Sequence, residues 1–172
     1  MMKDDPYDVI CPACGQMAQF HEPFVFLNRT PKKDEQHLYH QWGGWYVMER
    51  FPHLLRWTPP QSSSDQVLRG AGDDKPGYQR WHKGVVLCSH CHDNRVHVLS
   101  WPEDAWWRWE VRGRLLYARN RQDALRILAF VRQKLRPKRW FRSSLGHVPT
   151  HFLTEQVRDE VVSRMQRSLL GS

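Results

Sequence analysis

Apolar positions along this chain change their period near Asn120. Before that point they fall in short runs or alternate with polar residues, as in Val9-Ile10, Val85-Val86-Leu87 and Arg95 to Leu99. Runs and alternation of this length predict strands. From Trp106 to Ala118 (WWRWEVRGRLLYA) the alternation places Trp107, Trp109 and Val111 on one face. A hairpin is the expected form, with Arg112-Gly113 at the turn and Arg114 to Ala118 returning, although the turn pair is not the favoured Asn-Gly. After Asn120 the spacing becomes helical: Ala124, Ile127, Leu128, Val131 and Leu135 share a face, Asn120 stands as N-cap with Asp123 in the first turn, and Pro137 marks the stop. A second helix should follow Thr154 as N-cap, with Val157, Val161, Val162, Met165 and Leu169 as its stripe and Glu160 and Arg164 paired across one turn.

The central part is less regular. Phe20 to Trp57 alternates aromatic clusters with turn residues and reads as strands and irregular structure, and Pro59 to Gly77 is rich in Pro, Gly, Ser and Asp, which predicts a mobile loop. Together these patterns give an α+β chain, an antiparallel β part followed by two C-terminal helices. At 172 residues, 40% hydrophobic and 26% charged, it has enough apolar material for one domain core, which excludes wholesale disorder.

Charge and cysteine usage add the chemistry. The net charge of +8 is regional: from Arg108 to Arg142 twelve Arg or Lys face only Glu110 and Asp123, a local +10 that leaves −2 for the rest. Such a patch favours polyanions, nucleic acid first and acidic protein surfaces second, while a solvated Arg-rich face is the plain alternative. No apolar run approaches the roughly 18 residues of a membrane span, and the N-terminus has no basic start followed by an apolar stretch, so a cytoplasmic protein without membrane contact is expected. In the reducing cytosol four cysteines are better suited to act as thiolate ligands than as disulfides.

Those cysteines form two pairs of the same spacing, Cys11-Pro-Ala-Cys14 and Cys88-Ser-His-Cys91, each after a strand-like run. Four soft ligands in two CxxC turns match what a structural Zn²⁺ requires, so Cys11, Cys14, Cys88 and Cys91 are the expected metal ligands. Gly15 after the first pair permits the left-handed backbone of such a knuckle; His92 occupies the equivalent place after the second. The 73 residues between Cys14 and Cys88 far exceed the roughly 15 to 20 of a compact zinc module, so an inserted segment must bring the knuckles together. Two unrelated cysteine pairs, or a redox CxxC, remain the competing readings.

CPACG and VVLCSHCH resemble the two knuckles of zinc-ribbon proteins. With HVLSWPEDAWWRWEVRGRLLYARNRQDALRILAFVR and VPTHFLTEQVRDEVVSRMQRSL, the chain is similar over most of its length to uncharacterised bacterial zinc-ribbon-containing proteins. The resemblance implies a zinc-ribbon-like β domain over 1–120 with an insertion at about 20–84, a helical segment over 121–172 packed on it, and a bound zinc, but no activity. Locally, LCSHCHDNRVH also resembles the closing segment of HNH-type nucleases, which end in a ββα-metal fold. That likeness would make His40 the general base and His97 an ion ligand. The paired acidic-His-His element is here reduced to Tyr39-His40, and His82-Lys83-Gly84 stands where an Asn is expected before VVLC.

On these grounds the chain is expected to be a zinc-stabilised, non-catalytic module that binds DNA or RNA. Trp106, Arg108 and Arg112 on the open face of the hairpin would meet the nucleic acid, together with Arg136, Lys138, Arg139 and Arg142. Nine Trp also suit a protein-interaction adaptor that docks through Trp42 to Trp57, and the degenerate nuclease is the third possibility.

Overall fold

A computed structural model describes residues 5–60, 83–133 and 148–171. Its strands are β1 (Tyr7–Ile10), β2 (Met17–His21), β3 (Phe24–Leu27), β4 (His40–Trp42), β5 (Trp45–Glu49), β6 (Lys83–Leu87), β7 (Asn94–Val98), β8 (Trp107–Val111) and β9 (Arg114–Ala118), followed by the helices α1 (Arg121–Arg132) and α2 (Glu155–Leu170). Among the described residues, antiparallel sheets and two helices make the chain α+β, as the change of period predicts. Most of the expected mobile loop, together with Leu135 and Pro137, lies outside the described residues.

The chain forms two compact units, one of residues 1–6 and 11–101, the other of Tyr7–Ile10 and 102–172. The β8–β9 hairpin falls with the helices in the second unit because its inner face shares their core.

In the first unit β6 is central, antiparallel to β2 on one side and to β7 on the other. Phe20 pairs with Val86, and Phe20, Val85 and Val86 are fully buried. Gly84 is obligatory here: a Cβ at this position would lie within 2.6 Å of the His21 carbonyl oxygen and closer still to the Phe20 ring. A separate sheet of order β3-β5-β4 carries aromatic side chains around Phe24 and Val47, with Phe26, Leu55 and Trp57 packed against them.

In the second unit the expected hairpin is present. Trp107, Trp109 and Val111 are buried while Arg108 and Glu110 are exposed. Arg112 (φ +50°) and Gly113 (φ +70°) make the turn, the two successive positive φ angles that a tight two-residue hairpin needs. Leu116 and Ala118 complete that face, and α1 adds Ala124, Ile127, Leu128, Phe130 and Val131, α2 Val157, Val161, Met165 and Leu169. Asn120 caps α1 by accepting from the Asp123 amide (2.9 Å), one of the helix's orphan donors, while Asp123 accepts from the Arg119 amide (3.3 Å) just ahead of the cap. Thr154 stands at the N-cap of α2 but its hydroxyl donates to the His151 carbonyl (3.0 Å), because the 3-10 turn before it offers that acceptor. Glu160 and Arg164 pair as expected, 2.8 Å apart.

Sequence patterning gives no hint of Asp8, a buried carboxylate in β1. Its Oδ2 accepts from Trp107 Nε1 (2.6 Å) and from the Arg121 amide (2.9 Å), and its backbone bonds to Arg119 and Trp106. Donors and the positive end of α1 together compensate the charge. Replacing Asp8 by Ala leaves two donors without their acceptor and should cost about 2 to 4 kcal/mol. Gly84→Ala should cost about 1 to 3 kcal/mol through overpacking. Urea unfolding followed by Trp fluorescence measures both; a loss below about 0.5 kcal/mol for either would contradict the role given to that residue.

Candidate metal centre

Both CxxC turns fold the same way. The Cys11 amide donates to the Gln16 carbonyl (2.7 Å) and the Cys88 amide to the Asp93 carbonyl (3.0 Å), each closing a loop over five residues. The second sulfur of each pair accepts from the amide two residues on, Gln16 for Cys14 and Asp93 for Cys91. The first does likewise, from Ala13 for Cys11 and His90 for Cys88. Amides aimed at sulfur favour the thiolate, the form that a metal binds.

Across the site Cys11 Sγ lies 3.7 Å from Cys91 Sγ and Cys14 Sγ 3.7 Å from Cys88 Sγ, and all four sulfurs lie within 4.8 Å of one another. A zinc–thiolate bond of about 2.3 Å sets the edge of a regular tetrahedron at about 3.8 Å. The observed pairs fit that edge and are far too long for disulfides, which need about 2.05 Å. Cys11, Cys14, Cys88 and Cys91 therefore converge as the repeated spacing predicts, across 73 intervening residues, and can hold one metal ion.

Crowding four sulfurs shapes their acidity. The Cys88 thiol falls to about 7, chiefly because the Cys91 amide points at it, helped by the His90 amide and neighbouring thiols against the effect of burial. Cys91 has the Asp93 amide in its favour, but burial and the other three sulfurs outweigh it and push the thiol up to about 12. Cys14 also rises: the Gln16 amide favours its thiolate, yet burial and the Cys11 and Cys88 sulfurs prevail. Protons thus remain on the cluster near neutral pH until a cation displaces them. Arg95, ion-paired with Asp93 and held charged by it, feels the Cys11 and Cys91 sulfurs as well, so a cation stands beside a centre that is anionic when four thiolates bind one divalent ion. This contribution was not legible in the sequence, where Arg95 is one of many arginines.

The residue after each knuckle is left-handed. Gly15 has φ +73° and His92 φ +58°, so the second turn keeps the geometry without the glycine. Histidine tolerates this region better than most side chains, at roughly 1 kcal/mol.

The other expected site residues are distributed differently. His40 starts β4, opposite Val47, and His97 lies in β7, opposite Gly84, on another sheet. Turn residues and β8 follow β7, where a ββα-metal fold would have a helix. Among the described residues the four cysteines are the one group of three or more His, Cys, Asp or Glu side chains placed to share a metal. Trp106 is half-buried and packs against the second unit's core. Arg108 is exposed, with one guanidinium nitrogen on the Glu103 carbonyl (2.6 Å). Arg112 reaches α2 instead of an open face, bonding the Gln156 carbonyl (3.0 Å) and Glu160 (3.4 Å). Its left-handed turn conformation takes it off the strand's alternation. Arg136, Lys138, Arg139 and Arg142 lie outside the described residues. Among the described residues no helix is long and apolar enough to cross a membrane. Compared with protein-family models, curated proteins and solved structures, the chain matches none.

Because bound metal must displace protons from Cys14 and Cys91, apparent metal affinity should fall steadily as pH is lowered from 8 to 6. Competition against a chromophoric chelator reads this; an affinity flat in pH would contradict the protonated cluster. Gly15→Ala meets no atom within 4 Å, so its cost is purely conformational, about 1 kcal/mol, whereas His92→Gly should be neutral to about 1 kcal/mol stabilising. Thermal melts of the metal-loaded protein should show these opposite signs.

Proposed function

We propose that this chain is a non-catalytic binding module, built around one structural Zn²⁺, that contacts nucleic acid through a basic and aromatic surface. The sulfur tetrahedron carries the reading. Four thiolates suit a soft, geometrically undemanding ion and fill all four positions, leaving none for a substrate or an activated water, which is the mark of structural zinc. Reduced thiols in such a cluster fit a cytoplasmic protein.

Nucleic acid is supported by the local +10 between Arg108 and Arg142, within which Arg108, Arg114, Arg126 and Arg132 are exposed. A protein-interaction adaptor has an observation of its own. On the β3-β5-β4 sheet, Phe26 meets Trp45 at 6.3 Å and Trp42 meets Trp57 at 6.4 Å, both edge to face, and all four rings are half-buried. Aromatic groups of this kind often anchor protein interfaces. The nuclease reading has less behind it, since His40 and His97 belong to different sheets.

Elemental analysis with thiol counting should find one zinc per chain and four thiols that become reactive only after chelation; absence of zinc from metal-replete preparations would overturn the proposal. Binding to a labelled oligonucleotide should weaken steeply with salt, with a log–log slope of about −0.7 to −0.9 per phosphate contacted. Salt-independent binding would count against phosphate contact, and a protein partner retained after nuclease treatment would favour the adaptor.

A further inference from the structure

The second unit bears a cleft of about 210 Å³ lined by Trp106, Trp107, Arg108, Trp109 and Ser168. Two of its indoles are fixed walls: Trp107 donates its ring N–H to Asp8 and Trp109 to Ser168 Oγ (2.7 Å), and both rings are buried. With those polar atoms satisfied, the two rings offer a ligand only carbon surface. Trp106 is half-buried, its backbone tied to the Asp8 carbonyl (3.0 Å), so its position is set while part of its indole stays accessible. Arg108 is exposed at the same cleft, and the Glu103 carbonyl occupies only one of its five N–H donors.

We infer that this cleft receives one unpaired base of a single-stranded nucleic acid, stacked on Trp106, with Arg108 on the adjoining phosphate. The inference rests on the nucleic-acid reading above and narrows it. The volume is below the roughly 300 to 1,000 Å³ of pockets for drug-sized ligands, so it suits one flat ring system. A guanidinium in the wall opposes cationic ligands such as methylated lysine, which aromatic cages otherwise take, and favours an apolar plane joined to an anion. A nucleotide is such a ligand. Duplex bases are stacked and paired, and extracting one costs a few kcal/mol, whereas a single strand offers its bases directly. Arg164, one turn before Ser168 on α2, is an exposed second cation, already engaged with Glu160 and the Glu110 carbonyl.

The test is fluorescence anisotropy on the full, zinc-loaded chain with three probes: twelve-nucleotide oligo(dT) or oligo(U), the same DNA strand as a duplex, and the same strand with abasic positions. Single strands should bind at least about tenfold tighter than duplex, and abasic sites should weaken binding about tenfold. Trp106→Ala should weaken the intact strand by a similar factor while leaving the abasic strand unchanged, and Trp106→Phe should retain most of the affinity. Arg108→Ala should lower the salt slope by about one phosphate. Equal affinity for single strand and duplex, or equal affinity for intact and abasic strands, overturns the base-binding cleft while leaving a phosphate-binding module standing. No binding to any probe, or preference for a poly(Glu,Tyr) peptide, overturns both. Should Trp106→Ala melt early, the abasic comparison on the unaltered protein and the Phe variant decide.

Discussion

Mutual repulsion among four sulfurs is the constraint on which the first unit turns. Thiolates held about 3.7 Å apart are unfavourable neighbours unless protons or a cation sit among them, and the structure spends a set of backbone amides and one nearby arginine on making that arrangement tolerable. The knuckles achieve this without large side chains: each is a short loop closed by a hydrogen bond over five residues, with amides directed inward. Tight loops of this kind bring donors and sulfurs to one point because strands fix their ends. β6 and β7 hold the second knuckle in register, Leu87 opposite Asn94, and the close seat of Phe20 on Gly84 ties β2 to the same sheet.

The second unit uses a different economy. Its core is conventional, an amphipathic hairpin under two amphipathic helices, but polar nodes anchor two indoles within it, in addition to the contacts that Arg112 and Arg164 make on the surface. Asp8, Trp107 and the start of α1 form one such node, Trp109 and Ser168 another. Each satisfies an indole N–H that would otherwise be costly inside an apolar layer. The same contacts fix the rings that wall the cleft beside Trp106, so core packing and the shape of the cleft draw on the same side chains.

Much of this was legible in residue order. Period changes located the β8–β9 hairpin and both helices because one face of each is buried in a single core, which is the condition under which alternation and helical spacing carry information. The cysteines were legible because their chemistry tolerates few alternatives and their spacing repeats. Other features depended on contacts distant in sequence. Asp8 looks like one of several acids near the N-terminus, and only the fold brings it to Trp107 and Arg121, 113 residues away. Arg112 was placed on an open face by strand alternation, but a turn residue with positive φ leaves that alternation, and its guanidinium found α2. His92 broke the glycine pattern of a knuckle on paper, yet the backbone conformation survives because imidazole is among the side chains least opposed to it. A hairpin reads as part of whatever sheet precedes it until its buried face is known, and here that face belongs with the helices.

The discontinuity of the second unit has a consequence for synthesis. Tyr7–Ile10 is made before any other part of that unit, while the helix that receives Asp8 follows more than a hundred residues later. At roughly 5 to 20 residues per second, that strand waits on the order of 6 to 20 seconds for its companions. Cys11, its immediate neighbour, waits about two thirds as long for Cys88 and Cys91. The first unit has all its residues once Trp101 is made, whereas the second must wait for α2, so a chain stalled between them can already gather its four cysteines while Asp8 still lacks Trp107 and Arg121.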